Sequence, residues 1–127
     1  MHTTLKPGIR GRMEITVQAR DTAIAYGSGL VEVFATPAMI ALMENTAHTS
    51  LSSFLSQEQL TVGTEVNIKH IKATGLGKKV WAESELLETD GKRLVFRVEA
   101  FDEDGKIGFG NHTRYIVDRE KFMAALG

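Results

Sequence analysis

The amino-acid sequence predicts an α+β domain, with an antiparallel sheet curled around one long helix. Three observations carry this reading. Apolar and polar residues alternate before residue 20 and again in four runs after Gly63. Between these stretches, from Pro37 to about Leu55, the apolar spacing becomes helical and neither Gly nor a second Pro interrupts it. Turn signals rather than long linkers separate the later runs.

The elements follow in order. Met13–Ala19 sets Met, Ile and Val against Glu, Thr and Gln, and reads as a half-buried strand. Arg20–Gly29 ends in Tyr-Gly-Ser-Gly and reads as a loop, and Leu30–Phe34 is a short apolar run. Thr36-Pro37 is a helix start signal: a hydroxyl at the cap, then proline where its missing N–H costs nothing. The helix should make about five turns. Thr64–Lys72 then puts Val66, Ile68 and His70 on one face. Lys79–Glu88 and Arg93–Asp102 form a hairpin through Asp90-Gly91, and Lys106–Val117 follows a turn at Glu103-Asp104-Gly105. Close connections predict that the four strands after the helix form a meander. Asp118–Leu126 reads as a short last helix capped by Asp118.

Composition narrows the function classes. The 127 residues fit one domain, 1–127, and 43% apolar with 24% charged residues is an ordinary globular balance. With no cysteine there is neither a disulfide, nor a thiolate metal site, nor a cysteine nucleophile. Lys+Arg of 15 against Asp+Glu of 16 gives a net charge of −1, which argues against nucleic acid as a partner. No run is long and apolar enough to span a membrane, and no targeting pattern opens the chain, so the expectation is a cytoplasmic protein without a membrane partner. Twelve glycines against two prolines indicate that glycine is used for geometry.

Glu44 is the most informative residue. At about 100° per residue, Ile40, Glu44, Ala47, Leu51 and Leu55 share one arc of the helix, with Thr36 on the same side. A carboxylate in that stripe has a structural partner, reaches solvent, or serves a use. His70, in phase with Val66 and Ile68, is a core histidine or a catalytic one. Thr36 is a helix cap or a hydroxyl presented where helix N–H groups converge. Thr36 and Glu44 lie roughly 12 Å apart along the axis and cannot touch directly. Gly108, Gly110, His112 and Arg114 share a strand face, read either as close strand packing with solvated side chains or as a ligand groove with Arg114 facing an anion. The Gly-bearing loop from Ala73 to Lys79 lacks phosphate-loop spacing and reads as a solvated turn. His2 and His48 show no metal spacing, so no metal site is expected.

These residues resemble a known family. VEVFATPAMIALMENTA, VGTEVNIKHIKAT, and GFGNHTR followed by YIVDREKF are similar to the hotdog-fold thioesterases of the fluoroacetyl-CoA thioesterase group, over about Val17 to Phe122. The threonine, the glutamate eight residues later and the histidine twenty-six after that fall on Thr36, Glu44 and His70. The resemblance implies a hotdog fold and a homodimer or dimer of dimers with active sites at the subunit interface. It implies Thr36, Glu44 and His70 as catalytic residues, and Gly63 and Arg114 as substrate contacts. It implies an acyl-CoA substrate and no separate cofactor, CoA being part of the substrate. That family lids its acyl pocket with aromatic residues upstream of the helix, and Gly27 to Leu30 supplies no phenylalanine here.

The expected activity is hydrolysis of an acyl-CoA thioester, with Glu44 as nucleophile or general base and His70 orienting the thioester. Two alternatives are a hotdog-fold hydratase or dehydratase acting on the same thioesters, and a non-catalytic acyl-CoA-binding domain.

Overall fold

The computed structural model describes residues 5–127. Five strands, β1 (Arg10–Thr16), β2 (Gln59–His70), β3 (Lys79–Asp90), β4 (Arg93–Asp102) and β5 (Gly105–Asp118), form one antiparallel sheet in the order β1-β3-β4-β5-β2. Against it packs α2 (Thr36–Thr49), with short helices α1 (Ala23–Tyr26) and α3 (Arg119–Ala125) at the periphery. The α+β class read from the sequence is the one observed. No helix among the described residues is long and apolar enough to cross a membrane.

The sheet's inner face follows a strict period of two. Val80, Ala82, Ser84 and Leu86 of β3, and Leu94, Phe96, Val98 and Ala100 of β4, are buried, while their sequence neighbours are not. Burying a side chain such as Phe96 contributes about 1.5–3 kcal/mol. The expected four-strand meander is corrected: only β3, β4 and β5 are consecutive neighbours. β2 pairs with β5 from Gln59↔Asp118 to His70↔Gly108, on the far side of the sheet from β3. Residues 71–78 carry the chain across. A buried carboxylate holds this crossover: Asp102 Oδ2 accepts from Lys72 Nζ at 2.6 Å and from Thr74 Oγ1 at 2.7 Å. The loop from Ala73 to Lys79 is therefore a fastened crossover at Thr74, not a wholly solvated turn.

Other boundaries move for identifiable reasons. β1 ends at Thr16 rather than Ala19, because Gln18 opens a tight 3₁₀ turn at Ala19–Asp21. The segment expected to be a loop, 20–29, contains that turn and α1, which the Thr22 hydroxyl caps and Gly27 ends at φ 69°. The β3–β4 loop is Gly91-Lys92, one residue later than expected, because Asp90 still pairs with Arg93 and the glycine takes the positive φ of 61°.

α2 ends at Thr49, short of Leu55. Beyond it, Leu51, Ser52 and Phe54 bond to the carbonyls three residues back, a tighter winding. Ser50 Oγ donates to the Ala47 carbonyl at 2.6 Å, the backbone competition that makes serine-rich segments poor helix. The buried face of α2 is Ala38, Met39, Leu42, Met43, Thr46 and Ala47. The stripe expected through Ile40 and Glu44 is thus turned away from the core by roughly one residue's arc. Thr46 made that face hard to read, because its hydroxyl is hidden in a 2.7 Å bond to the Leu42 carbonyl.

Candidate active site

Thr36 is not the cap of α2. Ala35 holds the cap position without a side-chain bond, Thr36 is the first helical residue, and Pro37 follows it. Freed from capping, the Thr36 Oγ1 lies 2.8 Å from Nδ1 of His70, the last residue of β2. Strand and helix thus place a hydroxyl and an imidazole together at the helix N-terminus, where first-turn amides lack intrahelical partners. Burial pushes the His70 ring below the usual imidazole range, partly opposed by the backbone of Lys72, so the ring is neutral at pH 7. Its Nε2 is buried and has no hydrogen-bond partner. Beside the pair opens a cavity of about 360 Å³, walled by Ala23, Ser28, Val33, Phe34 and Ile71 among others. Two short β-bridges, Thr22↔Phe34 and Val33↔Gly75, tie down its rim.

Glu44 belongs to a second cluster. Its side chain is 40% exposed, and Oε2 stands 3.8 Å from Arg114 Nη1 and 3.8 Å from His112 Nε2. This is ion-pair range, beyond a direct hydrogen bond. Arg114 is held on three sides: Nε donates to Thr61 Oγ1 at 2.8 Å, Nη2 to the Thr61 carbonyl at 3.0 Å, and Nη1 lies 3.0 Å from His112 Nε2. His112 Nδ1 is 2.8 Å from the Glu65 carbonyl. Burial pushes the His112 ring below its usual range against the pull of that carbonyl; Arg114 adds to the fall and Glu44 opposes it. One helical turn beyond Glu44, His48 is also pushed down, by burial and then by Arg114, with Glu44 opposing.

Gly63 closes this cluster. A Cβ there would stand 2.7 Å from Glu44 Oε2, 3.1 Å from His112 Cε1 and 3.2 Å from Arg114 Nη1. β2 bulges between Gly63 and Glu65, and Gly63 pairs with Arg114 across the sheet. Glycine is needed here because the carboxylate and guanidinium occupy the space of its missing side chain. A larger cavity, about 670 Å³, opens beside Arg114, His48 and Arg119.

The five residues singled out by sequence therefore fall into two groups. Thr36 and His70 are brought together, as are Glu44, Gly63 and Arg114. The pairs among the described residues include no hydrogen bond between Glu44 and either Thr36 or His70. His112 and Arg114 do not project as solvated side chains; both are buried. Gly108 and Gly110 answer to close packing rather than a ligand groove, Gly108 against Met39 and Gly110 against the β2 backbone at Asn67. Val66, expected to face inward with His70, is 44% exposed. The sequence reading missed the role of Thr61, although Thr61, Gly63 and Arg114 follow from the β2–β5 register. Among the described residues no group of three or more His, Cys, Asp or Glu is placed to hold a metal ion; His2 lies outside them.

An antiparallel sheet wrapped on one long helix is the hotdog fold of the thioesterases on which this chain superposes. The family model for fluoroacetyl-CoA-specific thioesterase matches residues 17–120, and the chain belongs to that family. The chain is 38% identical over 93 residues to the fluoroacetyl-CoA thioesterase of Streptantibioticus cattleyicolor, covering 73% of this chain and 67% of that one. Among solved structures, fluoroacetyl-CoA thioesterase FlK superposes with a TM-score of 0.91 at 31% identity, over 98% of this chain and 96% of that one. A thioesterase superfamily member from Thermus thermophilus matches at 0.89 and 26% identity, over 97% and 91%. This chain is accordingly a thioester hydrolase.

Proposed function

We propose that this protein hydrolyses an acyl-CoA thioester to the free acid and CoA, with Thr36, Glu44 and His70 as catalytic residues and Gly63 and Arg114 as substrate contacts. The single observation that carries this reading is the Thr36–His70 pair. It leaves a half-buried, neutral imidazole whose buried Nε2 is unpaired, beside a cavity at a helix N-terminus. Such a group suits orientation of a thioester carbonyl, and the first-turn amides suit the oxyanion that develops on it. Glu44 supplies the nucleophile or the base that activates water. A solved relative of this chain, a variant of a fluoroacetyl-CoA-specific thioesterase, holds fluoroacetate and CoA, which supports a CoA thioester as the substrate here. No cofactor is invoked.

We further propose that the site is completed at a homodimer interface. Within one chain Glu44 and the Thr36–His70 pair sit in separate clusters, roughly 12 Å apart along α2. A second copy placed against this face brings its own Glu44 to the first copy's Thr36 and His70. β2 ends the sheet and leaves an unpaired edge with Val66 exposed, a surface a second copy can cover. The test is release of free thiol from a panel of acyl-CoAs. Glu44→Gln and His70→Ala should each lower kcat by about 10²–10⁴-fold, the usual worth of a general acid–base group. Turnover unchanged in both variants overturns the assignment, and hydration of an enoyl-CoA without thiol release overturns the reaction.

A further inference from the structure

We propose that His112 is a positioning residue: as an anchored neutral imidazole it fixes the orientation of Arg114, and through Arg114 the place of the Glu44 carboxylate. The inference rests on Glu44 being the reacting carboxylate.

The partners assign the tautomer. Nδ1 faces the Glu65 carbonyl at 2.8 Å, and a carbonyl only accepts, so Nδ1 carries the hydrogen. Nε2 faces Arg114 Nη1 at 3.0 Å, and a guanidinium only donates, so Nε2 presents its lone pair. The ring is 1% exposed and Phe96 stands 6.5 Å away, so it has no freedom to turn. Arg114 receives its remaining restraints from Thr61, at Nε and Nη2. Among the described residues every hydrogen bond to the guanidinium thus comes from β2 or β5, and the helix reaches it only through the 3.8 Å approach of Glu44. The result is a fixed cation against which a half-exposed carboxylate sets itself at 3.8 Å. Without the Nε2 acceptor, Nη1 loses its only short-range partner in this set, and the guanidinium turns about its Thr61 bonds.

Two substitutions separate the halves of the device. His112→Gln places an acceptor where Nε2 was but gives up the donor to Glu65. His112→Asn keeps a donor for Glu65 and leaves nothing at Nε2. With thiol release as the assay, H112N should lower kcat roughly tenfold to a hundredfold, the loss expected for a hydrogen bond to a charged group, and raise KM as well, since the released guanidinium is also a proposed substrate contact. H112Q should stay within about fivefold of the unsubstituted protein. A purely structural His112 predicts instead that both variants lose activity in step with their melting temperatures. That result overturns the proposal, as does H112Q falling as far as H112N, or both keeping full kcat.

A readout independent of turnover keeps this separate from the assigned reaction. In ¹⁵N NMR the ring should be protonated at Nδ1 and bare at Nε2 at pH 7. The Arg114 Nη signals should be resolved in the unsubstituted protein and in H112Q, and averaged in H112N. A protonated Nε2, or averaged Arg114 signals without any substitution, overturns the anchoring even if thioesters are hydrolysed. Correct NMR signatures with no Glu44-dependent hydrolysis would instead remove the functional reading and leave the anchoring standing.

Discussion

Replacing Gly63 by alanine tests the geometry of the Glu44 cluster directly. The added Cβ would lie 2.7 Å from Glu44 Oε2, whereas ordinary contact begins near 3.4 Å, so the carboxylate must retreat by about 0.7 Å. His112 and Arg114, at 3.1 and 3.2 Å, are held by their own bonds and give little. Glu44 is the flexible, 40% exposed member and absorbs the shift. A displacement approaching 1 Å of a reacting group costs up to about 10²-fold, so kcat/KM should fall roughly tenfold to a hundredfold, or about 1.4–2.7 kcal/mol of transition-state stabilisation. Stability should barely move, because a glycine-to-alanine change at a non-positive φ gains about 0.4–1 kcal/mol from the unfolded chain against the local crowding. Thiol release measures the first quantity and urea denaturation the second. A fall in kcat/KM of less than about threefold would refute the claim that Gly63 makes room for a working carboxylate. So would a loss of activity matched by an equal loss of stability.

Further outcomes follow from the same geometry. If Glu44 acts across a dimer interface, mixing and refolding Glu44→Gln with His70→Ala should restore about a quarter of full activity, since half the dimers are mixed and each has one intact site; no recovery would place all three residues in one chain. His48, His70 and His112 all sit below their unfolded value of 6.5, so the unfolded chain binds more protons as pH falls. Their contribution to stability should be fully present above pH 6.5 and lost as pH drops through their folded values, seen as a falling Tm in thermal melts. Asp102 is a different case. Burial alone would raise its carboxyl, but bonds from Lys72, Thr74 and the Asp104 amide, with the Lys72 charge, outweigh burial and hold it below the usual range. Asp102→Asn should cost about 1–3 kcal/mol by urea denaturation, and limited proteolysis should then cut within residues 71–78.

What could be read from the sequence was local. Period two fixed β4 at both ends and β3 at its start, two residues short of its end at Asp90, because both are buried on one face and each slip would expose Leu86 or Phe96. The resemblance to the fluoroacetyl-CoA thioesterase group put Thr36, Glu44 and His70 together, and the structure joins two of them at 2.8 Å. What stayed hidden was non-local. The order β5-β2 depends on a crossover pinned by Asp102, thirty residues from its lysine, and no spacing rule reports that. The rotation of α2 depended on Thr46 concealing its hydroxyl, and the burial of His112 and Arg114 on Thr61 and Glu65 in a strand far away in sequence. Polar residues whose partners lie across the sheet look solvated in a one-dimensional reading.

The two clusters also differ in how completely they are satisfied, and that difference bears on function. Arg114, Thr61, His112 and the Glu65 carbonyl close a set of hydrogen bonds that needs no ligand. Asp102 does the same for the crossover. Among the described residues two buried side-chain atoms are left without a partner, His70 Nε2 and Ser84 Oγ, and a Glu44 oxygen approaches its cations only to 3.8 Å. An unpaired buried nitrogen costs about 1–3 kcal/mol that an apolar residue would have avoided. A helix terminus with Thr36 as its first residue did not require a histidine to be stable. Ser84 sits on the inner face of β3, whereas His70 Nε2 and the Glu44 oxygen belong to the groups that hydrolysis of a thioester would engage, so the stability given up at His70 bears on that use.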